Sequence, residues 1–216
     1  MKTIPMIFNQ QMVKALVDGR KTVTRRPVES WRLPVECSYQ DDRYPNSKYM
    51  STASNHSRWG FGVFGETPEA AMENYNGEYK SCAPYNKGDL IWARETFRQF
   101  NSSDECGCSD SPCGCPNNGT YIYKENGDSG ESKWKPSIHM PRKASRLTLR
   151  VTDVRCERLQ KIGRQQVIKE GFNDWTGFAF AWSCIYSSSG KGWDESPWVW
   201  VIEFEVIHKN VDEVTA

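Results

Sequence analysis

The sequence predicts an α+β fold with a curved or closed sheet, and three observations carry that prediction. Alternating strands are scattered among a few short helices. Nothing repeats with the regular spacing of βαβ units, and no glycine-rich phosphate loop is present, so a doubly wound sheet is disfavoured. At 216 residues the chain is long enough to bury a sizeable core. It reads as a single domain, 1–216, with two long loop insertions at about 28–87 and 98–135.

The first element is a helix over 8–18, where Phe8, Met12, Ala15 and Leu16 recur at helical spacing and Gly19 supplies a left-handed residue to close it. Cations follow the helix exit. In Gly19-Arg20-Lys21-Thr22-Val23-Thr24-Arg25-Arg26-Pro27, the residues Thr22, Thr24 and Arg26 line one face of a short extended run. Val23 points into a core and Pro27 limits the run. From Val28 to about Lys87 hydrophobic periodicity fades among Ser, Asn, Tyr, Pro and Gly, so the stretch reads as mostly loop.

Asn86-Lys87-Gly88-Asp89 is a turn signal ahead of Leu90, Ile91, Trp92 and Ala93, a run suited to a strand buried on both faces and ended by Arg94 and Glu95. Residues 98–135 are polar and Gly-rich, broken by Tyr121-Ile122-Tyr123 as a small hairpin arm. Lys135 to Arg142 is an extended segment pinned by Pro136 and Pro141. It feeds a strand in which Leu147, Leu149 and Val151 alternate with polar residues, after which Val154 and Cys156 continue with opposite parity. That switch implies a bulge or bend near Asp153. Ile162 to Glu170 reads as a short helix closed by Gly171, and Asp174 caps a second in which Trp175, Phe178, Trp182 and Ile185 recur at helical spacing. Trp198, Trp200, Ile202, Phe204 and Val206 then mark a long closing strand.

A formal net charge of +1 excludes the uniformly basic body of a duplex-DNA binder, so any nucleic-acid contact is local. No run approaches the roughly 18 apolar residues of a membrane span, and the start of the chain is polar and amphipathic, which leads to the expectation of a cytoplasmic protein. Ser-His-Asp order, HExxH and paired-carboxylate motifs are absent from the sequence. Cys106, Cys108, Cys113 and Cys115 form two Cys-x-Cys pairs in a polar loop. Four soft ligands this close suit a tetrahedral structural zinc, although Cys-x-x-Cys is the commoner spacing; reduced free thiols, or disulfides formed on oxidation, are the other readings. Cys156 and Cys184 read as buried small apolar residues.

The order of these features resembles the ASCH domain family of the PUA-like superfamily of small β-barrels. The family pattern is a glycine, a lysine two positions on and an arginine five after the lysine, met here by Gly19, Lys21 and Arg26. Thr24 stands between them, as in the small bacterial N(4)-acetylcytidine amidohydrolases of the family. Aligning Leu159 to Gly171 on the helix that carries a functional glutamate in those enzymes puts Glu170 at its position. Longer phage-encoded and prophage ASCH proteins are more similar still, through Gly88 to Phe97, Pro136 to Arg142 and Trp198 to Phe204. Arg25 departs from the enzymes' pattern by replacing an apolar residue.

The resemblance implies a PUA-like β-barrel with flanking short helices, whose cleft takes a modified nucleoside or single-stranded RNA. Lys21 would act as general base, Thr24 as nucleophile and Glu170 as acid or orienting group in removing an acyl group from the exocyclic amine of a cytidine, with no cofactor for catalysis. Threonine needs such help because its hydroxyl is a poor nucleophile, and lysine can give it only where burial or nearby cations lower its pKa. Lys21 must then lie in the turn before the strand, since in an ideal strand it would face away from Thr24. Arg20, Arg25, Arg26 and His139 are the candidate substrate-binding residues. In an alternative reading the same cations hold phosphates while Trp92 or Trp134 stacks bases, making a non-catalytic RNA-binding module; a third is a phage accessory protein. Without the resemblance, the residues read first as a solvated cationic edge, two ordinary strand threonines and a surface glutamate.

Overall fold

The computed structural model describes residues 1–37, 47–54, 60–109, 112–127 and 132–215. In chain order the strands and helices are β1 (Thr3–Ile7), α1 (Gln10–Val17), β2 (Val23–Pro27), β3 (Val35–Glu36), β4 (Tyr49–Thr52), β5 (Gly62–Gly65) and α2 (Pro68–Glu73). Then come β6 (Leu90–Arg94), β7 (Phe97–Gln99), α3 (Ser102–Glu105), β8 (Tyr121–Tyr123) and β9 (Thr148–Arg158). The last are α4 (Arg164–Lys169), α5 (Trp175–Tyr186), β10 (Trp198–Ile207) and α6 (Val211–Thr215). The protein is therefore α+β. Its strands hydrogen-bond in the orders β1-β6-β9-β10-β2, β3-β4-β5 and β7-β8, and no closed barrel is found among the described residues. None of their helices is long and apolar enough to cross a membrane.

The chain divides into two compact units, one of Met1–Arg20, Asp89–Arg150 and Val206–Ala216, the other of Lys21–Gly88 and Val151–Glu205. In the first, β1 pairs parallel with β6, and Leu90 to Trp92 pair antiparallel with β9. Leu90 to Ala93 are all buried, as an apolar run without alternation requires of a strand covered on both faces. Asn9 caps α1 by accepting from the Met12 amide at 2.8 Å, and Gly19 at φ +70° follows its end. The expected hairpin arm is present, with Phe97 opposite Tyr123 and Gln99 opposite Tyr121. The proline-pinned segment is not simply extended: Pro136 and Pro141 each precede a single 3-10 turn, Ser137–His139 and Arg142–Ala144. A proline just before a turn fixes φ without costing a needed donor.

In the second unit β10 runs antiparallel to β2, with Ile202 opposite Thr24 and Trp200 opposite Arg26. Burial in β9 falls on Leu149 and Val151, then on Val154 and Cys156, so the parity switch around Asp153 is real. Asp174 caps α5 through the Gly177 amide at 2.8 Å. The stretch expected to be mostly loop is instead folded. β3, β4 and β5 form an antiparallel sheet beside α2, which begins with Thr67 as cap and Pro68 in its first turn. Val63, Ala71 and Met72 are fully buried there. Two features hid this. A Cβ on Gly65 would lie 2.3 Å from the Ala71 amide nitrogen, so glycine marks close packing rather than a turn. The buried Ser51 hydroxyl, which bonds the Arg32 carbonyl at 2.5 Å and the Tyr75 hydroxyl at 2.9 Å, breaks the apolar pattern.

Candidate functional site

Lys21 lies between Gly19 and the start of β2, outside the strand itself. The Thr22 amide donates to the Lys169 carbonyl at 2.9 Å, which ties this stretch to the end of α4. Glu170 caps α4 and Gly171 follows at φ +90°, the left-handed exit that only glycine adopts without strain. The outcome is a buried ion pair: Lys21 Nζ donates to Glu170 Oε2 at 2.6 Å, to the Glu170 carbonyl at 2.9 Å and to the Val23 carbonyl at 2.8 Å. Lys21 is 0% and Glu170 2% exposed. Those three acceptors account for all three ammonium protons. Burial lowers the Lys21 pKa below its ordinary value; Glu170 opposes that shift, while Arg26 and Arg25 add to it.

The pair belongs to a longer alternation of charge. Arg25, expected beside the site as an added cation, is itself buried, donating to Glu170 Oε1 at 3.1 Å and to Glu157 Oε1 at 2.8 Å. Arg155 continues the series to Glu157 Oε2 at 3.3 Å, Glu203 Oε1 at 2.6 Å and Gln166 Oε1 at 3.2 Å. Sequence reasoning missed Arg155, Glu157 and Glu203. Their signal was present: once Val154 and Cys156 face inward, Arg155 and Glu157 share the opposite face of β9, and an acid alternates into β10 at Glu203.

Thr24 lies on β2 opposite Ile202, 1% exposed, and its Oγ1 has no hydrogen-bond partner among the described residues. No hydrogen bond joins it to Lys21. A buried hydroxyl without a partner costs about 1–3 kcal/mol, and such an atom calls for an explanation. Arg26 is half-buried and donates to the Arg25 carbonyl at 3.1 Å. Lys21, Glu170 and Arg25 are thus joined directly. Arg20 and His139 belong to the other unit, where Arg20 pairs with Asp18 at 2.9 Å and His139 is exposed in its 3-10 turn.

In the first unit the four loop cysteines come together, every Sγ within 4.8 Å of the others. Cys106 and Cys113 are 3.4 Å apart, Cys108 and Cys115 3.2 Å. These separations exceed the roughly 2.05 Å of a disulfide and lie near the tetrahedral edge of about 3.8 Å that four Zn–S bonds of about 2.3 Å would give. The Cys115 amide donates to Cys113 Sγ at 3.3 Å, and this, with the neighbouring thiols, lowers the Cys113 pKa to about 7. The preceding α3 is fixed by Glu105, which accepts from the buried Arg98 at 2.6 Å and from Ser132 Oγ at 2.5 Å.

Two other expectations are corrected. Cys184 is exposed on α5, while Cys156 is buried as expected and burial pushes its thiol pKa up. Trp92 is buried with Leu90 and Val211, which removes it as a base-stacking platform. Trp134 lies 5.5 Å from the Arg98 guanidinium. Comparison with known proteins found no matching family model and no similar curated protein or solved structure.

Proposed function

We propose that the second unit carries an amidohydrolase centre of the ASCH type, within a PUA-like fold, acting on an acylated cytidine as a free nucleoside or in single-stranded RNA in the cytoplasm. One observation carries this reading: Lys21 and Glu170 meet at 2.6 Å in a buried ion pair, and Thr24, three residues after Lys21, has a buried hydroxyl with no partner among the described residues. In the resting ion pair every Lys21 proton is donated, so the base form arises by passing one proton from Nζ to Glu170. Burial favours loss of the Lys21 proton because it penalises the ammonium charge. The neutral amine then takes the proton of Thr24 Oγ1 as the oxygen attacks the acyl carbon. Glu170, now a carboxylic acid, gives its proton to the departing exocyclic amine; Lys21 then passes the proton taken from Thr24 to Glu170, and the neutral amine activates the water that hydrolyses the acyl-threonine ester, a proton returning to Thr24 Oγ1 as it leaves. Arg25 holds Glu170 in place, and Arg26 lies next to it on β2.

The RNA-module reading draws less support. It needs cations facing outward, yet Arg25 is buried in two ion pairs and Trp92 is core. As part of the proposed reading, Cys106, Cys108, Cys113 and Cys115 hold one structural zinc. The donor set is soft and the spacing fits; the metal would organise a loop that has little core of its own.

The test is release of cytidine from N4-acylated cytidine by purified protein. Thr24→Val, which keeps the β-branch and removes the hydroxyl, is expected to lose activity by about three orders of magnitude or more, and Thr24→Val with Lys21→Ala to be hardly worse than either change alone. Full turnover by Thr24→Val ends the nucleophile assignment, and no turnover by the unaltered protein over several acyl groups ends the enzymatic reading.

A further inference from the structure

We propose that the second unit holds a separate ligand pocket, where β2, β9 and β10 meet Lys191, for a small flat ring compound bearing one anionic group. The proposal does not depend on the amidohydrolase reading. A cavity of about 490 Å3 opens there, within the range of about 300–1,000 Å3 typical of small-molecule sites. Its walls include Val28, Leu33, Pro34, Pro197 and Trp198, an apolar lining suited to a ring. Two cations and one carboxylate, Arg158, Lys191 and Glu195, supply the charged groups.

These groups are held in place rather than left in a loose loop. The Arg158 guanidinium lies 4.6 Å from the Trp198 ring centroid and pairs with Glu69 at 3.0 Å. Lys191 Nζ donates to the Val28 carbonyl at 2.9 Å, and the Lys191 carbonyl accepts from Trp182 Nε1 at 2.8 Å. An ammonium has three donors, so Lys191 keeps capacity for an anion. At Gly192 a Cβ would lie 2.7 Å from both Glu195 Oε2 and Ser187 Oγ, so glycine lets the loop fold tightly under Glu195.

Backbone strain falls at the same place. Ser196, between Glu195 and Pro197, has φ +41° and is the one non-glycine residue with positive φ among the described residues. Its carbonyl accepts from Arg158 at 3.4 Å and its hydroxyl from the Gln160 amide at 3.2 Å. Strain of this kind persists where the surroundings over-determine it, and it clusters at ligand sites. The ligand's anion would meet Lys191 and Arg158, a ring N–H would donate to Glu195, and the ring faces would lie against the prolines and Val28.

The experiment is titration calorimetry of the full chain with four probes: cytidine 5′-monophosphate, orotate, cytidine and inorganic phosphate. The first two separate a phosphate from a carboxylate as the anion; the last two remove the anion or the ring. At least one anionic ring compound should bind saturably at one site, at least tenfold tighter than cytidine and phosphate. Lys191→Gln should weaken it about tenfold with an unchanged melting temperature, and Ser189→Trp, which fills the mouth from an exposed position, should abolish it. Thr24→Val should leave it unchanged. No saturable binding of either anionic ring compound overturns the proposal. So does cytidine binding that is as tight as theirs and is lost in the same two pocket variants, or anionic-ring binding that survives both pocket substitutions.

Discussion

The charged network around Lys21 and the cysteine loop around Cys113 both concentrate reactive side chains, but they are held together by opposite means. In the network each charge already has a counter-charge: Lys21 with Glu170, Arg25 with Glu170 and Glu157, Arg155 with Glu157 and Glu203. Lys21, Arg25 and Glu170 are buried, and no ion or cofactor is needed to keep them apart or together. The cysteines are mostly exposed, and their Sγ atoms lie within 4.8 Å of one another. One site is completed by folding; on the proposed reading, the other is completed by its metal. The first should therefore respond to mutation through global stability, the second through ligand content.

The largest effect is expected from Glu170→Ala. It leaves Lys21 and one arm of Arg25 as buried cations without their carboxylate, and breaking a buried pair on one side costs about 3–5 kcal/mol. Chemical denaturation measures it. Lys21→Met should cost less, because Glu170 keeps Arg25. A loss under about 1 kcal/mol for Glu170→Ala would place this network with exposed ion pairs and break the comparison.

Alkaline pH sharpens the same point. Lys21 has a folded pKa below its unfolded value of about 10.5, so over the interval between the two the unfolded chain binds the extra proton. Stability attributable to Lys21 therefore rises with pH through that interval and is lost as pH falls through the folded pKa. Glu170, Arg25 and Arg26 are the charges that set it. The difference in unfolding free energy between the unaltered protein and Lys21→Met should grow in favour of the former as pH is raised toward about 10.5. A flat difference would show that the ion pair just offsets desolvation, and a falling one that it outweighs it.

Much of the frame could be read from sequence because its signals are local. Gly19, Asp174, the strand at Leu90 to Ala93 and the parity switch at Asp153 each follow from a few adjacent residues. Lys21 and Glu170 came from a resemblance, and their contact spans 149 positions that no periodicity connects. Arg25 looked like a surface cation because its partner Glu157 is 132 positions away. The fold of β3, β4, β5 and α2 escaped for a similar reason, since a buried serine and closely packed glycines imitate loop composition. His139 lies in the proline-pinned segment that leads into β9, in the first unit, whereas Lys21 and Glu170 lie in the second.

Thr24→Val tests the network from within, with an intermediate effect of opposite sign. The substitution removes a buried hydroxyl that lacks a partner and keeps the shape of the side chain. Stability should stay level or rise by up to about 1–3 kcal/mol, the cost of such a group, while deacylation is lost. A stable, inactive variant separates the hydroxyl's chemistry from any packing role. A destabilised variant would show that Oγ1 is satisfied in solution and would weaken the case that it is held for substrate.

The smallest effect on global stability is expected from emptying the cysteine loop, and its readout is metal. Protein purified without a histidine tag should carry close to one zinc per chain, and Cys113→Ser should lower that content sharply with little change in melting temperature. Glu105→Ala, one residue before the cluster, should behave the other way, because it removes a carboxylate that pairs with buried Arg98 while leaving all four thiols in place. The pair of variants locates the boundary at which the loop stops being held by the core and starts being held by its ligand. Zinc-free protein with four titratable thiols in the loop would refute the metal assignment. If metal removal instead lowered the melting temperature as far as Glu170→Ala does, the contrast between the two sites would fail, because the cysteine loop would then be as integral to folding as the buried ion network.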